Sequence, residues 1–194
     1  HSAREEIIFI SPYYVPGKGG VELVRQLVDK GVRVIVLTNS LASNNHTPVH
    51  SGYARYRKDV IRAGVELYEA RANAAGETQG AIEGVETMTL HTKAFLIDRR
   101  YLFVGSLNLD PRSIEINAEM GLLIDSADLV SGFTDNADER LATLAYRVLL
   151  NEQGQLEWHS RINGEDVVAT REPLASPWLR FKAWFMGIAP ESQL

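Results

Sequence analysis

Cysteine is absent from this 194-residue chain, which rules out disulfides and thiolate metal sites and leaves the redox compartment open. Long apolar runs are missing too. No stretch reaches the ~18 residues of a membrane-spanning helix, and the opening "HSAREEIIFISP" has no signal-like apolar region. Nor is there a basic excess: a net charge of −5 lacks the positive balance of a large nucleic-acid footprint, without excluding a local basic patch. Internal repeats and low-complexity tracts are absent. What remains is an ordinary globular composition, 45% hydrophobic and 23% charged, long enough for one well-packed domain and too short for two large ones. The chain enters its first strand after about five residues, an abrupt start more usual in a piece of a longer protein.

The apolar run at 7–11 reads as a buried strand, and 19–31 carries a helical stripe ended by Gly31. Residues 32–38, rich in β-branched side chains, read as a second buried strand, so the two pair in parallel through a helical crossover. A polar loop spans 39–50, a helix 51–63, a third strand 65–70, and a mobile surface loop 71–87. Strands follow at 90–98, 101–106 and 116–125, then one helix over 127–150. The expected class is therefore α/β, a mixed sheet flanked by helices on both faces. Residues 1–150 form the catalytic domain in this reading. Residues 151–194 form a C-terminal tail, with a hairpin turning at Asn163-Gly164 and a short aromatic helix after Pro177.

Within "LHTKAFLID" (90–98), a buried strand carries charged groups that are expensive to bury unless paired or used. His91 and Lys93 share one strand face. Asp98 has the opposite parity, ~23 Å along a straight strand, so it reads as a turn residue bonding the backbone of "RRY". With a tight hairpin over 98–101, facing positions sum to 199, putting Lys93 opposite Ser106 and His91 opposite Asn108. Gly105 would let a substrate or another backbone come close. Asn117 and Glu119 share a face of the next strand, and Glu119 is expected to fix the His91 tautomer by accepting from one ring nitrogen. The other nitrogen is then free to attack phosphorus, with Lys93 and Asn108 facing the phosphoryl oxygens. One such histidine would suit a satisfied core group, but four convergent polar positions favour chemistry.

"HTKAFLID" followed by "VGSLN" resembles the His-x-Lys-(x)4-Asp-(x)6-Gly-Ser-x-Asn signature of the phospholipase D superfamily. "SPYYVPGKGGVELV", "LTNSLASNN", "NLDPRS" and "NAEMGLLID" are similar to its bacterial cardiolipin synthase branch. The resemblance implies a phospholipase D-like fold and an active site of His91, Lys93, Ser106 and Asn108, with Glu119 as the partner of His91 and Asp98 mainly structural. It further implies a two-step phosphatidyl transfer through a phosphohistidine, without metal or cofactor, on a phospholipid such as phosphatidylglycerol. A peripheral place on the bacterial inner membrane goes with it. Such synthases carry two copies of the signature and this chain carries one, so it looks like a C-terminal half that needs a second motif-bearing half. Smaller single-copy relatives pair as homodimers and are mostly nucleases; the acidic balance and aromatic tail speak against that reading.

Other residues leave two readings each. His46 and His50 lie on a loop at the rim of a site or on a bland surface; Tyr13 and Tyr14 line a headgroup path or pack. Arg112 binds phosphate or pairs with Asp110. Trp178, Phe181, Trp184, Phe185 and Ile188 cover one broad helical face beside Arg180 and Lys182, suited to a membrane surface or to packing on the protein.

Overall fold

The computed structural model describes residues 3–77 and 88–188. β1 (Glu6–Ile10), α1 (Gly17–Asp29), β2 (Arg33–Asn39), α2 (Thr47–Arg62) and β3 (Glu66–Ala70) follow in order, and the three strands run parallel. β4 (Ala94–Ile97) and β5 (Tyr101–Gly105) join antiparallel beside β1, and β6 (Gly121–Asp125) forms that edge. On the other side β3 pairs with β7 (Ala145–Leu150), then β8 (Leu156–Ile162) and β9 (Glu165–Ala169). Among the described residues the sheet has nine strands in the order β6-β5-β4-β1-β2-β3-β7-β8-β9.

Strand alternation divides the core. In β2, Val34 and Val36 face a cluster with Val21 and Val24 of α1 and Tyr53 and Val60 of α2. Ile35 turns to the opposite cluster, with Val130 of α4 (Ala127–Thr134) and, at its margin, Leu141 of α5 (Ala137–Leu144). Full burial of one such side chain is worth roughly 1.5–3 kcal/mol. Helices therefore cover both faces, as the sequence indicates.

The motif strand is shorter than the foreseen 90–98: β4 holds only Ala94–Ile97, and His91 and Lys93 lie on the segment leading into it rather than on a strand face. Three further expectations change. The helix foreseen over 127–150 breaks at Asn136, which is left-handed, and ends at Leu144; residues 145–150 form β7 instead. The open edge of β3 wins over local preference, because β7 satisfies its backbone groups while Tyr146 and Val148 enter the core. The strand foreseen over 116–125 is shorter, since Asp110 caps α3 (Pro111–Glu115) by accepting from Ser113 N at 3.0 Å. Asn117 and Glu119 consequently lie on the connection into β6. Third, the loop reading of 71–87 holds a 3-10 helix at Ala72–Glu77, and its remainder, 78–87, lies outside the described residues. The β8–β9 hairpin turns at Asn163 and Gly164, both at positive φ, as the Asn-Gly pair requires.

Candidate active site

The parallel strands β1, β2 and β3 end at Ile10, Asn39 and Ala70, and β4 begins beside Ile10. The segments before β4 and after β5 thus meet the loops after β1 and β2 at one edge of the sheet. Loops at the carboxyl ends of parallel strands are where α/β proteins build sites.

Buried polar side chains fix this edge. The Asn39 amide takes both backbone groups of Leu90, donating to its carbonyl at 3.0 Å and accepting from its N–H at 2.9 Å. Asn39 also donates to Pro12 O at 3.3 Å, so one side chain joins two loops and holds the residue before His91. Ser11 Oγ accepts from Leu109 N at 3.1 Å, and Val15 N donates to Leu109 O at 2.7 Å. The stretch from Ser106 to Asp110 is therefore seated along the β1 loop.

The β4–β5 connection has three residues, with Ile97 opposite Tyr101, so facing positions sum to 198 rather than 199. A one-residue slip changes which side chains share a face. Lys93 faces Gly105, whose N–H donates to Lys93 O at 3.2 Å, and Ser106 lies beyond the pair. Asp98 does turn the corner, at φ 50, but its carboxylate does not bond "RRY". It accepts from the amides of Arg4, Glu5 and Glu6 at 3.0, 2.8 and 3.2 Å, tying the hairpin to the start of β1. Burial pushes this carboxyl up, and the amides outweigh it and hold it below the usual range. Gly105 is needed for a backbone approach: a Cβ there would run into Met120 O and Gly121 Cα of the neighbouring strand.

His91, Lys93 and Ser106 line one open groove of about 510 Å³ together with Thr92, Val104 and Gly105. Lys93 Nζ folds back to His91 O at 2.9 Å. Partial burial holds its ammonium below the ordinary lysine range, against the pull of Glu119. The bond foreseen between Glu119 and His91 is not made. Glu119 instead accepts from Ser106 Oγ and from Asn117 Nδ2, the latter at 3.1 Å, and these two bonds lead in holding its carboxyl below the usual range.

Asn108, foreseen opposite His91, does not line that groove but a second cavity of about 270 Å³ with Tyr13, His46, Asp110, Arg112 and Asn117. Its Oδ1 is buried without a hydrogen-bond partner among the described residues. Arg112 is exposed on this rim while Asp110 is engaged as the α3 cap. A third opening, about 540 Å³, lies at the other end of the strands around the Arg33–Glu66 ion pair and holds none of these residues.

A scan of family models matches residues 1–141 to "Cardiolipin synthase, PLD-like domain". Cardiolipin synthase C of Escherichia coli is 38% identical over 97% of this chain. The chain spans only 41% of that relative's length. Among solved structures, the phospholipase D family member Nuc of Salmonella typhimurium matches 72% of the chain and 79% of its own, at TM-score 0.53 and 14% identity. Phosphatidylserine synthase of Haemophilus influenzae matches 74% of the chain and 33% of its own, at TM-score 0.51 and 16% identity. This chain belongs to the cardiolipin synthase, phospholipase D-like family.

Two residues foreseen at the site of this family member lie elsewhere. Tyr14 is buried against Tyr53, and its neighbour Tyr13 reaches the cavity instead; burial raises the Tyr14 hydroxyl far above its ordinary value. His50 is packed inside, 3.1 Å from Arg57 Nη2 and 3.4 Å from Glu172 Oε1, because α2 turns His50, Tyr53 and Arg57 inward together. Arg57 pairs with Glu69 at 2.9 Å and Glu172 at 2.8 Å, under the rings of Tyr53 and Trp158. Tyr53 and Trp158 each donate to Glu69 at 2.8 Å. Burial raises the Glu69 carboxyl; at Glu172 Arg57 and His50 overcome burial and hold it at about 2.

Sequence reasoning missed the roles of Asn39, Ser11 and this cluster. The signals were there, in polar residues set inside apolar strands: Asn39 ending "VRVIVLTN" and Glu69 inside "ELYEA".

Proposed function

We propose that this chain carries one half of a phosphatidyltransferase site, moving a phosphatidyl group between headgroup alcohols on phospholipids such as phosphatidylglycerol. The observation that carries this reading is the grouping of His91, Lys93 and Ser106 along one open groove. His91 supplies one of two imidazoles. In the first step one imidazole nitrogen bonds phosphorus, the bond to the headgroup oxygen breaks, and the other imidazole protonates the departing alcohol. In the second, the acceptor hydroxyl gives its proton back to that imidazole while its oxygen displaces the phosphohistidine nitrogen. Lys93 meets the charge of the phosphoryl oxygens, and its hydrogen bond to His91 O holds it beside the histidine.

The second imidazole comes from another motif-bearing unit. Support for this lies in the apolar rim beside the groove, where Ile116 and Met120 are 77% and 83% exposed, and in the chain's 41% share of its E. coli relative. A homodimer is the second reading, favoured by the chain's likeness in fold to Nuc, of which it covers 79%. The test is turnover of labelled phosphatidylglycerol by this chain alone and mixed with a second motif-bearing unit, beside single-stranded DNA as competing substrate. Transfer products without DNA cleavage support the reading, and DNA cleavage without lipid turnover overturns it.

A further inference from the structure

α6 (Pro177–Met186) is anchored from beneath, by its backbone. Ser51 of α2 donates to Ala183 O at 2.7 Å, and Arg55 donates to Gly187 O at 2.6 Å through Nη2. Leu179, Ala183 and Met186 are half-buried, at helical spacing, on that side. The root is pinned as well: Glu172, five residues before the helix, pairs with buried Arg57. α6 is a fixed element of the fold.

Its other face has no cover among the described residues. Trp178 and Trp184 are 71% and 66% exposed, and Phe181, Phe185 and Ile188 are exposed with them. Ring contacts of 5.7 Å from Trp178 to Phe181 and 6.0 Å from Phe181 to Trp184 make the patch continuous. From Pro173 to Ile188 the chain has no acidic residue and carries Arg180 and Lys182, in a protein of net charge −5. Ten residues are far too short to cross a bilayer. Tryptophan, phenylalanine and flanking cations are the chemistry of a helix lying in the headgroup boundary of an anionic membrane.

We propose that α6 is a membrane-docking helix that seats this protein on an anionic phospholipid surface with its groove turned towards the lipid. The pairs Ser51–Ala183 and Arg55–Gly187 show α6 running in the same direction as α2. Its Trp178 end therefore lies towards the start of α2, which opens from the loop carrying His46 on the site's rim. A second motif-bearing unit is not the favoured occupant. It must reach the groove beside β6, while α6 sits on α2, on the far side of β1 in the sheet order. The inference deepens the reading of a lipid substrate and rests on it for orientation, while membrane binding is measurable without turnover.

The test is sedimentation with phosphatidylglycerol–phosphatidylethanolamine vesicles and with pure phosphatidylcholine vesicles, using the wild type, a Trp178→Ser/Phe181→Ser/Phe185→Ser variant and Lys182→Glu. Wild type should bind the anionic vesicles at least about tenfold better than the triple variant, with Lys182→Glu between them. Circular dichroism should show all three folded, and fluorescence from Trp178 and Trp184 should shift to the blue on binding. Folded triple variant binding vesicles as well as wild type overturns the inference. So does light scattering showing that the triple substitution splits an oligomer without changing vesicle binding. Vesicle binding without phosphatidylglycerol turnover when a second motif-bearing unit is present contradicts the proposed reaction and leaves the docking helix standing.

Discussion

Asn39 shows how much of this site hangs on one amide. Its donor and acceptor both engage Leu90, so the backbone entering His91 is set by a buried side chain. Asn39→Asp keeps the size and the acceptor but loses the donor to Leu90 O. It is expected to lower kcat by about tenfold or more with little change in KM, as a displaced reacting group does. Kinetics beside a circular dichroism spectrum check this, and an equal rise in KM would point to substrate contact instead. Asp98 has a measurable role of its own. Its folded carboxyl lies below the ordinary range, so the stability it contributes is present above about pH 4 and is lost as pH falls through the folded value. At this partly exposed position Asp98→Asn should cost about 1 kcal/mol in urea unfolding at neutral pH, and the difference from wild type should shrink in acid. That His91, Lys93 and Ser106 come together along one groove was legible from polar residues set at the ends of apolar runs. Their mutual register was not: the arginines of "DRRY" carry no turn signal, and the three-residue loop shifts the pairing by one.

At the scale of elements, the C-terminal tail is held by charge. Glu172→Ala leaves Arg57 buried with one carboxylate fewer and should destabilise the fold by about 3 kcal/mol, read from the urea midpoint. The folded Glu172 carboxyl is held at about 2, so its contribution is present above the ordinary glutamate range and lost as pH falls through that value. Wild type should therefore lose stability between about pH 4 and 2, and Glu172→Gln should flatten that limb. Where β5 meets β6, a Cβ at Gly105 meets Met120 O, so Gly105→Ala should cost about 1–3 kcal/mol and move Ser106 off Glu119. β1, β2, β3 and the β8–β9 hairpin could be read from apolar runs, Gly31 and Asn-Gly. β7 could not, because its strand state depends on the open edge of β3, a long-range demand that leaves no local mark.

For the whole molecule, the sheet order sets the groove and the aromatic helix on different elements. The groove lies beside β5 and β6, and the aromatic helix lies on α2. Mixed α/β layering was legible from the alternation of elements, and the motif from its spacing; the buried Arg57–Glu69–Glu172 cluster, assembled from residues far apart in the chain, was not. The central claim is that His91 is one of the imidazoles of phosphatidyl transfer, and it is most directly tested by replacing it. Labelled phosphatidylglycerol should be turned over by the unmutated protein with its second motif-bearing unit in place. With His91→Ala, turnover should fall by at least about a thousandfold while the unfolding midpoint stays unchanged. Substantial residual turnover by a folded His91→Ala protein would contradict the account.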